Sequence, residues 1–171
     1  MSPTAVAARV AVRPVEAGDA GFLRKVYAAT RAGELALVNW TVDQKDAFLN
    51  MQFAAQDHQY RGQYAHADRW VVLVDGEPAG RYYVDRDQDR ILIVDIALLP
   101  QHRGQGVGTS LLEATLKDAR AARLPVVLNV EVSNPAAGVT ANHLNHLEVL
   151  EAGQNASASL GTLLTRVVPV L

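Results

Sequence analysis

The segment Arg103-Gly104-Gln105-Gly106-Val107-Gly108-Thr109 carries the most specific chemistry in the chain. Three alternating glycines strip one side of a turn of its Cβ atoms, so a ligand can approach the backbone closely. A helical pattern begins just after it. The first amides of a helix lack intrahelical partners and carry the positive end of the dipole. Together these features make a cradle for a phosphate or pyrophosphate, with Arg103 as a permanent cation at its lip and Thr109 as a hydroxyl. Two common phosphate motifs do not fit. The P-loop needs Gly-Lys-Ser/Thr, and no lysine stands here; G-x-G-x-x-G would need glycine in place of Thr109. A tight strand-to-helix turn without a ligand is the plain alternative.

Asp95 is the second candidate. It alone interrupts the apolar run Ile91–Leu99, and a carboxylate there is costly to bury unless it is paired or opens onto a cleft. Two readings stand side by side: a general base, or half of a buried ion pair with Arg81 or Arg86 on the preceding hairpin. Glu131 is a weaker candidate for the same role. His143 and His146 sit at i, i+3 with no third metal ligand in view, and a solvated helix face explains them without a metal. The chain has no cysteine, which excludes disulfides, Cys-based metal sites and a thiol nucleophile.

These groups belong to a chain of 171 residues, the size of one globular domain, so residues 1–171 are expected to form a single domain. Sixteen Lys+Arg against eighteen Asp+Glu give a formal charge of −2. Without a basic excess, electrostatic binding to nucleic acid is not expected. No run reaches the roughly 18 apolar residues of a membrane span, and residues 1–10 lack the apolar core of a secretory signal. A soluble, cytoplasmic protein is the expectation.

The positioning elements follow from periodicity. Ala8–Val12 reads as a strand, and a helix begins near Gly18 with Phe22, Val26 and Ala29 at helical spacing, broken at Gly33. A second helix starts after Trp40. Thr41 is its N-cap, Gln44 completes a capping box, and Phe48, Met51 and Ala55 form its apolar stripe. Asp57–Asp68, polar and aperiodic, reads as a loop. Trp70–Val74, the Asp75-Gly76 turn and Ala79–Val84 make a hairpin, with Asp85–Arg90 as a solvated turn into the buried strand Ile91–Leu99. A helix with Leu112, Leu116 and Ala119 follows the glycine turn, and Pro125–Glu131 is the next strand, which a helical crossover makes parallel to the last. Ala141–Leu147 reads as a weak helix and Leu163–Val168 as a final strand. The order predicts a mixed α/β (α+β) fold: an antiparallel meander with a late parallel βαβ crossover and helices on both faces of the sheet.

The stretch DIALLPQHRGQGVGTSLL resembles motif A of the GNAT superfamily of N-acetyltransferases, with Arg103, Gly106 and Gly108 at the fixed positions of Arg/Gln-x-x-Gly-x-Gly/Ala. The resemblance runs from about residue 8 to 136, through LNVEVSNPA at 128–136. It implies acetyl-coenzyme A as cofactor. Ile96, Ala97 and Leu98 would meet its pantetheine arm, Arg103, Gly104, Gln105, Gly106, Val107, Gly108 and Thr109 its diphosphate, and Asn134 the cofactor also. The family's acid tyrosine falls on Asn145, in the run His143–Val149, and asparagine cannot donate a proton as an acid. His143 or His146, or unassisted departure of the thiolate, are the remaining routes. Asp95 would be the base. The acceptor, a small-molecule or peptide amine, would meet the first two helices through Glu34, Trp40, Gln52, Gln56 and Tyr60. Amine acylation is thus expected, with a non-catalytic acyl-coenzyme A-binding module as the alternative. Dimers through the C-terminal strands occur in the family, which leaves a homodimer open.

Overall fold

The computed structural model describes residues 9–128 and the strand 148–150. One six-stranded sheet has its strands in sequence order. β1 (Val10–Pro14) pairs antiparallel with β2 (Asp68–Val74) after the chain has passed through α1 (Ala20–Ala36) and α2 (Val42–Gln63). β2, β3 (Glu77–Arg86) and β4 (Ile91–Leu98) form the antiparallel meander. α3 (Val107–Ala122) carries the chain over to β5 (Val126–Leu128), which lies parallel to β4, and β6 (Glu148–Leu150) closes the edge antiparallel to β5. The Asp75-Gly76 hairpin has both central residues in the left-handed region, at φ 52° and 87°, where the turn's twist matches that of the flanking strands.

The two faces of the sheet are covered differently. On one, Val107, Leu111 and Ala119 of α3 pack against Val72, Val84, Ile91 and Ile93. The buried Tyr82 and Thr115 hydroxyls meet there at 2.7 Å, and burial pushes the Tyr82 phenol up to about 12. On the other face, Val26 of α1 packs against Ala97 and Leu99, while Tyr27 and Leu35 join α1 to Leu49 of α2. The expected architecture, a mixed sheet with helices on both faces, is the one observed.

β4 contains the irregularity that matters for the site. Tyr83 pairs with Asp95 and Val84 with Ile93, so Val94 is an extra residue, a β-bulge. Ile93 and Ile96 both pack on the α3 side, whereas Val94 joins the cluster of Tyr83, Tyr60 and Tyr64 on the opposite face. The bulge breaks the alternation of side chains and turns Asp95 toward α1 and α2.

Four expectations are corrected. α1 runs through Gly33 to Ala36; a helical glycine costs about 1 kcal/mol, and the burial of Leu35 with the Arg31–Glu34 ion pair offsets it. α2 extends to Gln63 across the segment expected to be a loop, because Asp57 pairs with Arg61 and Arg69 and Tyr60 packs edge-on against Tyr83. The α2 residues facing the core are Leu49, Phe53, Gln56 and Tyr60; of the expected stripe Phe48, Met51 and Ala55, only Phe48 packs against the core, and Met51 and Ala55 are exposed. The inward face is half polar, so apolar periodicity marked little of it. Asp85 and Arg86 still belong to β3. The Thr41/Gln44 capping box is present in both directions, at 3.2 and 2.9 Å. The expectations over Glu131, Asn134, 141–147 (with His143, Asn145 and His146) and 163–168 lie outside the described residues.

Candidate functional site

The glycine turn connects the end of β4 to the start of α3. Gly104 and Gly106 hold φ +68° and +77° with nothing within 4 Å of where a Cβ would stand. L-residues avoid that conformation, so these two positions need glycine for the backbone itself, and the space beside them is open. Gly106 is the N-cap of α3, with no side-chain cap and no acidic residue in the first turn. The first intrahelical bond is that of the Ser110 amide to the Gly106 carbonyl, 2.9 Å. The amides of Val107, Gly108 and Thr109 precede it and are the helix's orphan donors. The Val107 side chain is core, so only its backbone can serve a ligand. A Cβ at Gly108 would stand 3.8 Å from Ile96 Cδ1. Arg103 is exposed and fastens the turn to its surroundings: Nε donates to the Leu98 carbonyl at 2.8 Å and a terminal nitrogen to the Ala29 carbonyl at 3.3 Å.

Ile96 and Leu98 direct their side chains into the core beneath α3, and Ala97 packs with Val26 on the other face. Any ligand running along this strand would therefore meet its backbone. Beside it in the sheet, β3 leaves no room for a side chain at Gly80, where a Cβ would stand 2.2 Å from the Ala97 carbonyl oxygen.

On the α1/α2 face the bulge presents Asp95 to a web of aromatic and charged groups. Of the two partners expected, Arg81 takes Asp95, Nη2 to Oδ2 at 2.7 Å, with side chains only 3% and 14% exposed. Arg86 pairs with Asp68 and Asp118 instead. The same Arg81 nitrogen donates to Gln56 Oε1 at 2.8 Å, and its guanidinium lies over the rings of Tyr27 and Tyr83, 5.9 and 5.8 Å from their centroids. Arg69 stacks on the opposite part of this web, 4.8 Å from the Tyr83 centroid, and pairs with Asp57. Burial pushes the Asp57 carboxyl up, but Arg61 and Arg69 outweigh it and hold it below its ordinary value. Burial likewise raises the Tyr83 phenol, with Arg69 opposing.

Among the other acceptor candidates, Tyr60 lies against Tyr83 at 6.1 Å, and Gln52 is half-buried one turn before Gln56. Glu34 pairs with Arg31 at 3.0 Å, and Arg31 in turn lies over Tyr27. Trp40 stands apart, edge-on to Phe48 in a recess with Ala47 and Met51. The sequence reading missed Tyr27, Tyr83, Arg69 and Asp57. Tyr27 follows Val26 in the first helix, and Tyr83 stands two residues after Arg81 on the same face of β3, so residue type and spacing were the available signal.

The donor set suits the diphosphate of a coenzyme: a bare helix N-terminus, two left-handed glycines opening onto free space, and no carboxylate in the first turn. A bulged central strand ending in such a turn, with paired N-terminal helices opposite, defines an acetyltransferase fold. The sequence pattern of the acetyltransferase (GNAT) family matches residues 19–139, and the chain belongs to that family; Asn145 lies beyond the matched stretch. No curated protein matches closely enough to count as a relative. Among solved structures, the chain is similar in fold to the PaiA N-acetyltransferase of Thermoplasma acidophilum in complex with coenzyme A. The TM-score is 0.51 at 15% identity over 75% of this chain and 83% of that one. It is similar also to RimL, a ribosomal L7/L12 alpha-N-protein acetyltransferase, with TM-score 0.53 and 17% identity over 85% and 80%. A second RimL structure, in complex with coenzyme A, gives 0.52 and 15% over 85% and 83%.

Proposed function

We propose that the protein is an N-acyltransferase that uses acetyl-coenzyme A to acetylate an amine of a small molecule or peptide by direct transfer. The observation that carries this is the pairing of an open glycine cradle at the bare start of α3 with a bulge that turns Asp95 to the other face of the same strand. The cofactor supplies an acyl group already activated as a thioester.

The chain's residues supply the rest. The amides of Val107, Gly108 and Thr109 bind the diphosphate, and Arg103 holds their turn to β4 and α1. The backbone of Ile96–Leu98 lies along the arm. Asp95, paired with Arg81, accepts the proton that the amine loses as its nitrogen–carbon bond forms and the carbon–sulfur bond breaks. The sulfur leaves with the electron pair of that bond and takes up one proton, which balances the one Asp95 received. The half-buried Gln52, Gln56 and Tyr60 of α2 are the groups offered to the acceptor, and the buried Tyr27 and Tyr83 pack around Arg81 behind them.

Calorimetric titration with acetyl-coenzyme A, followed by a thiol-release screen over a panel of amines, tests the reading. Binding with amine-dependent thiol release supports it; no binding overturns it. The asparagine at 145 favours a second reading, a module that binds acyl-coenzyme A without transfer. Binding without release across the panel, with turnover gained in Asn145→Tyr, would establish that the acid is missing.

A further inference from the structure

Gln56 is held by a group that can only donate. Arg81 Nη2 reaches Gln56 Oε1 at 2.8 Å and Asp95 Oδ2 at 2.7 Å, so one nitrogen ties the tip of an α2 side chain to the carboxylate on β4. A guanidinium carries N–H donors and no acceptor. The Gln56 amide must therefore meet Arg81 with its oxygen, which turns its NH2 group the other way. The hold is rigid, because Arg81 is buried with its guanidinium beside the Tyr27 and Tyr83 rings. Gln56 itself is half-buried on the inward side of α2, one turn after Gln52 and one turn before Tyr60. Asp57, the next residue, is taken by Arg61 and Arg69. Gln56 Nε2 makes no hydrogen bond among the described residues, and it is not sealed from solvent. Its donors are open on the side away from Arg81.

On the acyl-transfer reading, with Asp95 as base, we propose that Gln56 selects the acceptor: an α-aminoacyl group, in which the carbon bearing the amine also bears a carbonyl. Amino-acid amides and the first residue of a peptide share this group. Gln56 Oε1 and Asp95 Oδ2 both lie within one hydrogen bond of the same nitrogen. Donor and base are thus spaced for neighbouring groups of one small molecule. With its nitrogen at Asp95, an α-aminoacyl acceptor has its carbonyl oxygen only two carbons away, and that oxygen accepts from Gln56 Nε2. A plain alkylamine sets a methylene there and leaves the amide donors shut from water and unpaired, which is costly. A diamine is no better, because its second ammonium meets N–H donors with the Arg81 cation behind them.

Thiol release from acetyl-coenzyme A with matched amines tests this on the wild type. Glycinamide and isobutylamine have the same branched outline, and only glycinamide carries the carbonyl. At equal concentrations of unprotonated amine, glycinamide should show a kcat/KM higher by about tenfold or more, the effect of one donor left unpaired. A short peptide amide beginning with glycine should share the advantage. Gln56→Glu keeps an oxygen for Arg81 and puts an acceptor where the open donors were. In that variant the preference for glycinamide should vanish and 1,2-diaminoethane should gain, with acetyl-coenzyme A affinity unchanged and the melting temperature not lowered. Equal kcat/KM for glycinamide and isobutylamine in the wild type overturns the proposal whatever the variant does. So does a preference that survives Gln56→Glu. A rate lowered equally for every amine also overturns it, since the amide would then serve the thioester carbonyl. Acetyl-coenzyme A binding without thiol release from any amine fails the acyl-transfer reading and the selection with it, whereas release without preference fails the selection alone.

Discussion

Arg81 holds Asp95 diagonally across two adjacent strands: Arg81 is in register with Ala97, and Asp95 with Tyr83, yet their side chains meet at 2.7 Å. The bulge at Val94 makes this possible by turning Asp95 onto the face where Arg81 lies between Tyr27 and Tyr83. The pair sets up the sharpest test of the proposed chemistry.

Asp95→Asn keeps an acceptor for Arg81 but removes the proton-accepting group. The acyl-transfer rate should fall by about 10²- to 10⁴-fold, the usual contribution of a general base, with the acetyl-coenzyme A dissociation constant changed less than threefold (about 0.6 kcal/mol). Steady-state kinetics and calorimetry separate the two quantities. A lowered melting temperature with an unchanged rate would assign the pair to the fold alone.

Gly106 stands at φ +77° with open space beyond it. Gly106→Glu brings a carboxylate to the place proposed for the diphosphate, and the left-handed backbone adds about 1–2 kcal/mol of strain. Acetyl-coenzyme A binding should disappear while circular dichroism shows a folded protein. Unchanged affinity in the folded variant would count against the cradle.

Gly80 lies beside the strand proposed to carry the arm, in register with Leu98. In Gly80→Ala the new methyl would meet the Ala97 carbonyl oxygen at 2.2 Å and Leu98 Cδ2 at 2.7 Å. Backbone cannot yield as a side-chain tip can, so the β3–β4 pair must separate. Urea unfolding should show a loss of about 1–3 kcal/mol, the range for overpacking a well-packed interior, together with weaker cofactor binding.

The Arg13–Asp19 pair ties β1 to the entry of α1. The two hydrogen bonds from Arg13, each 2.7 Å, and one from the Glu16 amide hold the Asp19 carboxyl at about 2, against an ordinary 3.8. A carboxyl lowered on folding stabilises the fold fully above its unfolded value and loses that contribution as pH falls through the folded one. Unfolding experiments on wild type and Asp19→Asn should give a constant gap from neutral pH down to about pH 5. The gap should narrow between about pH 4 and pH 2. A gap that stays constant to pH 2 would contradict the assignment.

Local signals carried the fold far. The Thr41/Gln44 capping box, the Asp75-Gly76 turn and the glycine turn each depend on a few adjacent residues, and each forms where its sequence indicates. The order of elements followed from them, and with it the mixed sheet and its parallel crossover between β4 and β5. The second half of α2 was illegible for the opposite reason. Gln56, Asp57 and Tyr60 look like loop residues until Arg81, Arg69 and Tyr83 from distant strands satisfy them. Apolar periodicity marked Phe48, Met51 and Ala55 as the buried side, and only Phe48 packs against the core, because periodicity cannot tell which part of a stripe meets the core and which meets solvent.

What the sequence determined by itself is the glycine turn, because a left-handed N-cap is a property of glycine at one backbone position. It also marked Asp95 as out of place in an apolar strand. Which arginine answers Asp95, and which face of the sheet it turns to, were decided only by the tertiary structure. Arg81 and Arg86 both lie on β3 with equal claims in one dimension. One extra residue at Val94 turns Asp95 toward Arg81, and Asp68 and Asp118 take Arg86. A bulge is a mismatch in length between two paired strands, so neither strand's sequence contains it alone.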